Sequence, residues 1–196
     1  SKVKNTVLAG LAGLTLTACG GGGGGGCATG PINDFVDTDL SNLSGSASLV
    51  SSYSNLLSDF QSVISSGDIS AIQGVITGPD QTDIDQANTL LTQLQTAKTL
   101  WDQTEQLIEA QTDSEKYTIY NSNSFKEAHA AMLYLQNYVK PVIQKVANGN
   151  TITLADYNLV DKQSRALEII EQEKNSTSND YANSKKIKSV QTINND

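Results

Sequence analysis

Between Ser46 and Lys174 the apolar residues recur at spacings of three and four, and that period limits the fold more than any other feature. Side chains on a strand alternate with a period of two. Spacings of three and four instead gather residues onto one face of an α-helix. From Ser46 to Ser65 the stripe is Leu49, Val50, Tyr53, Leu56, Leu57, Phe60, Val63 and Ile64, opposed by Ser, Asn, Asp and Gln. Serine is a mediocre helix former, so burial of the stripe must hold this helix, and Gly67 can end it. Residues 68 to 77 carry Ile69, Ile72, Val75 and Ile76. They read as a short helix capped by Asp68, with a strand as the alternative because the segment is rich in β-branched residues.

Gly78-Pro79-Asp80 breaks the chain, and Thr82-Asp83-Ile84-Asp85 resembles a capping box that starts a long helix to about Gln111. Its stripe is Ile84, Ala87, Leu91, Leu94, Lys98, Trp101 and Ile108, flanked by Leu90, Ala97, Leu100 and Leu107. Lys98 on that seam argues against a strict coiled coil and for a globular bundle. Residues 112 to 122, with Tyr117, Ile119 and Tyr120, read as a connection. Ser124-Phe125-Lys126-Glu127 is a capping box, and the helix after it presents Phe125, Ala128, Ala131, Met132, Leu135, Tyr138, Val139, Val142, Ile143 and Val146. Pro141 lies inside it, which predicts a kink near Asn137, and Asn148-Gly149-Asn150 ends it. Thr153-Leu154-Ala155-Asp156 opens a last helix to about Lys174, with Leu154, Tyr157, Val160, Leu167, Ile169 and Ile170 on its apolar face. The expected fold is all-α: an up-and-down bundle of four to five helices over 46–174, followed by a polar tail, 175–196. Residues 28 to 45 read as linker with a short helical turn near Asn33 to Asp37.

The other end has a different character. Lys2 and Lys4 precede about eleven apolar or small residues, Val7 to Thr17, the length of a signal-peptide core. A membrane-spanning helix needs about twenty. The segment ends in Leu16-Thr17-Ala18-Cys19 and runs into glycine from Gly20 to Gly26. Those residues resemble the lipobox of bacterial lipoproteins. The resemblance implies that 1–18 is a signal peptide recognised through Leu16, Thr17 and Ala18. It also implies that Cys19 becomes the N-terminus, carrying a diacylglycerol thioether and usually an amide-linked palmitate-type chain. Two or three chains hold a protein to a bilayer far more firmly than one. Gly20, where an acid would otherwise follow the cysteine, resembles members exported to an outer membrane, facing the periplasm or the cell surface. Glycine has the largest conformational entropy, so 19–45 is expected to act as a flexible tether. No strand precedes the run and no Lys-Ser or Lys-Thr follows it, so a phosphate-binding loop is excluded.

Charge narrows the partners. Thirteen bases less Lys2 and Lys4 leave eleven against twenty-one acids, so the chain from Cys19 onward is near −10. Such a chain is not built to neutralise phosphates, which argues against nucleic acid, and anionic membrane surfaces repel it. Residues 28–110 hold eleven acids and one base, Lys98, whereas 111–196 hold ten of each. With Cys19 acylated, Cys27 is the remaining thiol, so no intramolecular disulfide is expected. Cys27 is read as a small linker residue, with an intermolecular bridge as the alternative.

The chemistry of catalysis is thinly represented. His129 is the single histidine, with no HExxH, CxxC or Glu-x-x-His pattern beside it, and it reads as a helix-face or boundary residue. No nucleophile-elbow motif accompanies it. Asp80, Asp83 and Asp85 lack the calcium-loop pattern and fit a helix N-terminus. Glu105 and Glu109 read as solvent-facing. Trp101, Tyr134 and Tyr138 form a candidate ligand platform, with core packing as the competing role. No cofactor, no metal and no catalytic residue is expected. The expectation is a lipid-anchored binding or interaction module for an unknown protein or extracellular ligand. The alternative is the leading portion of a larger lipid-anchored exported protein, such as an autotransported protease, whose catalytic part lies beyond this chain.

Overall fold

A computed structural model describes residues 30–65, 78–153 and Asp156. Among these residues the protein is an all-α bundle without strands: α1 (Pro31–Thr38), a 3₁₀ turn (Leu40–Asn42), α2 (Ala47–Ser65), α3 (Gln81–Glu109), α4 (Asp113–Tyr120), α5 (Asn123–Tyr134) and α6 (Lys140–Ala147). A single π-helical segment, Leu135–Val139, joins α5 to α6. The expected short helix at 68–77, the body of the last helix after Asp156, the tail, Cys27 and residues 1–29 lie outside the described residues.

The spine is α3. Its buried residues include Asp83, Ala87, Leu90, Leu94, Ala97, Trp101, Thr104 and Ile108, spaced alternately by four and three. That alternation keeps one seam facing its neighbours along the whole helix. The seam is rotated from the expected stripe. Ile84 and Leu91 are only half-buried, and Lys98 is exposed and paired with Asp102 at 2.6 Å. Lys98 therefore never enters the seam, and the objection to regular packing that rested on it disappears.

Both neighbours run antiparallel to α3. Tyr53 of α2 hydrogen-bonds Thr104 at 2.8 Å, while Gly45, earlier in the chain, lies beside Leu107. On the other side the partners of Trp101, Leu94 and Ile84 are Phe125, Gln136 and Gly149, in that order. The Thr104 hydroxyl donates to the Leu100 carbonyl at 2.7 Å, which directs the Tyr53 proton toward Thr104. Burial pushes the Tyr53 hydroxyl's pKa up, the Thr104 bond opposes the shift and the Glu105 and Asp102 charges add to it, so the phenol stays protonated.

Three helix starts differ from expectation, two by lying two residues earlier and one because no helix was expected. The cap of α3 is Asp80, whose carboxylate accepts from Asp83 N (2.8 Å) while Asp83 accepts from Asp80 N (3.0 Å), two residues before Thr82. The cap of α5 is Ser122, not Ser124, and it accepts from Phe125 N. Residues 113–120 are helical where a connection was expected, because Thr112 accepts from Glu115 N. Thr112-x-x-Glu115 is itself a helix-start signature.

The expected disturbance around Pro141 takes the form of the π segment. Proline has no N–H and its ring would strike the Asn137 carbonyl in a regular helix. The turn widens so that Lys140 N reaches Leu135 O, and Gln136 Nε2 donates to Leu94 O at 3.0 Å, fixing the segment to α3. The end of α6 is as expected. Gly149 (φ +82°) sends its N–H to Val146 O, and Asn150 N reaches Lys145 O, both 2.9 Å.

The largest correction concerns 30–45, which is part of the fold rather than tether. Pro31 opens α1 with φ already set for a helix. Ile32, Phe35, Val36 and Leu40 are buried, a helical spacing hidden among Asn, Asp and Thr. Phe35 meets Phe125 edge-on at 5.6 Å and Trp101 at 5.9 Å, and Trp101 stacks on Phe125 at 5.4 Å. Tyr120 closes on Phe125 at 5.1 Å, so α1, α3, α4 and α5 each contribute a ring to one junction. Phe125→Ala is expected to cost about 3–5 kcal/mol, read from the midpoint of a urea unfolding curve at unchanged slope.

Candidate functional site

A mixed polar and apolar groove of about 360 Å³ lies between the end of α1 with its 3₁₀ turn and α4. Asp39, Asn42 and Leu43 form one wall, and Ser114, Glu115, Thr118 and Ile119 the other. Its existence follows from two local signals. The 3₁₀ turn closes with Leu43 N on Leu40 O, leaving Leu43 half-buried at the rim. The Thr112 cap starts α4, which puts Glu115, Thr118 and Ile119 on successive turns of one helical face.

Asp39 is held in the groove by side chains from the start of α5. Ser124 Oγ donates to its Oδ2, and Ser122 Oγ lies 3.2 Å from the same oxygen while also reaching Ile119 O at 2.8 Å. A hydroxyl has one proton, so Ser122 serves the carbonyl and the carboxylate alternately. These bonds tie the end of α1 to the start of α5. They do not form a catalytic triad, because the only histidine is elsewhere. His129 is half-buried and its ring lies over Phe125 (5.9 Å, 6°) and Trp101 (6.1 Å, 25°), at the edge of the aromatic junction.

The other sequence candidates divide clearly. Trp101 and Tyr134 are buried in the core and Tyr138 is half-buried against Tyr134 at 6.0 Å, so the three form no exposed platform. The core needed their apolar area more than the surface did. Asp80 and Asp83 cap each other, and Asp85 accepts from Gln81 Nε2 at 2.8 Å, so the three acids do not converge. Glu109 is exposed as expected, yet it accepts from Tyr120 at 2.6 Å and lies 3.8 Å from Lys116, which also pairs with Asp113 at 3.1 Å. Glu105 is half-buried rather than fully solvent-facing. Among the described residues no three His, Cys, Asp or Glu side chains gather as a metal site, and no helix is long and apolar enough to cross a membrane. Leu16, Thr17, Ala18 and Cys19 fall outside the described residues. Sequence reasoning did not single out Asp39 or Glu115. For Glu115 the Thr112-x-x-Glu115 signature was available, whereas nothing local marks Asp39.

Among the described residues two acids depart from their ordinary behaviour. Burial raises the Asp156 pKa, but the Lys145 ammonium at 2.5 Å, the Thr153 N–H at 3.0 Å and the Thr153 hydroxyl at 2.9 Å outweigh burial, and the pKa is lowered. The Thr153 hydroxyl in turn accepts from Asp156 N at 3.1 Å, the expected start of the last helix. Asp34 is raised, first by burial and then by the charges of Glu127 and Asp37.

Compared with protein-family models, curated proteins and solved structures, the chain matches none.

The two shifts give opposite pH dependences. The stabilisation from Asp156 is complete above the ordinary value of 3.8 and is lost as pH falls through its lower folded value. The repulsion at Asp34 is complete above its raised value and is relieved as pH falls through it. Asp156→Asn should therefore lower the neutral-pH stability by about 1 kcal/mol, as loss of a cap does, and flatten the acid limb. Asp34→Asn should stabilise at neutral pH and converge with wild type in acid. Melting temperature against pH for the three proteins checks both signs.

Proposed function

We propose that this chain is a bacterial lipoprotein held to a membrane through Cys19, whose helical domain binds another macromolecule or an extracellular ligand. The observation that carries the reading is the agreement of four features in the first twenty residues: Lys2 and Lys4, the apolar run Val7 to Thr17, Leu16-Thr17-Ala18, and Cys19. Gly20 favours an outer-membrane destination, on the periplasmic face or the cell surface. The glycine run from Gly20 to Gly26 would give reach to the domain, of which α1 is already part.

Binding is favoured over catalysis by the placement of the one histidine, which stacks on the aromatic junction rather than beside Asp39, Ser122 or Ser124. The groove beside α4 supports the same reading. It offers hydrogen-bonding and apolar groups side by side, the mixture that small binding sites use. The acidic charge argues against nucleic acid as the partner.

The test is the intact mass of the native protein extracted from membranes with detergent. The expected species begins at Cys19 and carries acyl chains, and Cys19→Ser is expected to release the protein from the membrane fraction. An unlipidated species retaining Ser1 would contradict the anchor. A much larger lipidated species would assign these residues to the front of a longer protein.

A further inference from the structure

The groove beside α4 has a chemistry that selects its occupant. Its walls carry Asp39 and Glu115, and half-buried Leu43 and Ile119 supply the apolar surface between them. The nearby sequence is acidic as well. Asp34, Asp37 and Asp39 lie on or just after α1, and Asp113 and Glu115 are in the first turn of α4. Lys116, on the same helix, is already paired with Asp113 and Glu109. A cleft of one sign, walled by low-dielectric protein, concentrates ligands of the opposite charge.

Two carboxylates with hydroxyl and amide neighbours are too few hard ligands for a protein-caged calcium ion, which takes six to eight oxygens. The apolar strip would also be wasted on a bare cation. What fits is a positive head on an aliphatic stem, since lysine and arginine lay their methylenes along apolar surface and keep the charge at its edge. At about 360 Å³ the space is near the small end of ligand sites, suited to one side chain and its flanking backbone. Asp39 is held in place by Ser122 and Ser124, so less order has to be gained on binding.

We propose that this groove receives a lysine or arginine side chain of a partner protein, its stem on Leu43 and Ile119 and its charge against Asp39 and Glu115. The proposal rests on the reading of the domain as a binding module and names the chemistry its partner presents.

The experiment is an NMR titration of the full chain carrying Cys19→Ser, with N-acetyl-lysine methylamide as probe. Saturating shift changes centred on Leu43, Thr118 and Ile119 are expected, and the norleucine analogue, which keeps the stem and lacks the charge, should produce none. Glu115→Gln alters an exposed side chain and should weaken the lysine probe about fivefold, the scale of one partly exposed ion pair. Asp102→Asn, an exposed acid outside the groove, should leave affinity unchanged. Shifts spread over the whole acidic surface, equal weakening by Asp102→Asn, or no saturation would each overturn the proposal. Saturation by 1,5-diaminopentane but not by the lysine probe would overturn the protein partner in favour of a free polyamine. None of these outcomes bears on the mass of the Cys19 species, so this proposal and the lipoprotein reading fail separately.

Discussion

The contact between Phe35, Trp101 and Phe125 fixes α1 on the rest of the bundle. Three rings from three helices meet at centroid distances of 5.4–5.9 Å, tilted, edge-on and stacked, and Tyr120 adds a fourth from α4. Aromatic pairs in such arrangements contribute beyond the area they bury. Here they also solve a placement problem. The eight residues of α1 are too few to hold a helix in water alone, so α1 depends on what Phe35 touches. Once α1 is fixed, Asp39 stands at its end, Ser124 of α5 reaches it, and the groove beside α4 acquires its first wall.

The long helices were legible because their signal is redundant. The α2 stripe contains Tyr53, Leu56 and Phe60, which are buried, and Leu49, Val50 and Leu57, which pack against the core. Losing any one of them would not have hidden the period. The expected end of α6 at Gly149 was equally secure, because a positive φ there leaves little choice of residue. Helix α3 was found but misoriented. Leu90 and Leu91, Ala97 and Lys98, and Leu100 and Trp101 are adjacent pairs, and sequence cannot say which member of a pair points inward. The partner helices chose Leu90, Ala97 and both Leu100 and Trp101.

The short elements were read less fully, α1 only as a helical turn near Asn33 to Asp37 and α4 as a connection, for the opposite reason. In α1 and α4 eight residues carry two or three apolar positions among acids and hydroxyls, which is also how linkers look. Their stability comes from tertiary contact, a term that no local pattern contains. The same limit applied to the site. Asp39 is one acid among many until the fold brings Ser122 and Ser124 to it across more than eighty residues. The Trp101, Tyr134 and Tyr138 platform failed because residue type marks interfaces and cores alike, and burial assigned two of the three to the core. By contrast, the lipobox reading owes nothing to tertiary structure. As proposed, it rests on a linear pattern, Leu16-Thr17-Ala18-Cys19 after an apolar run.

Helix α1 is an integral layer of the bundle rather than the end of a tether. Native-state hydrogen exchange addresses it directly. The account predicts that the amides of Phe35, Val36 and Asp39, bonded within or at the end of α1, are protected to a degree close to those of α5 across the junction. Exchange of those three amides at the rate of an unstructured peptide, with α5 still protected, would contradict it.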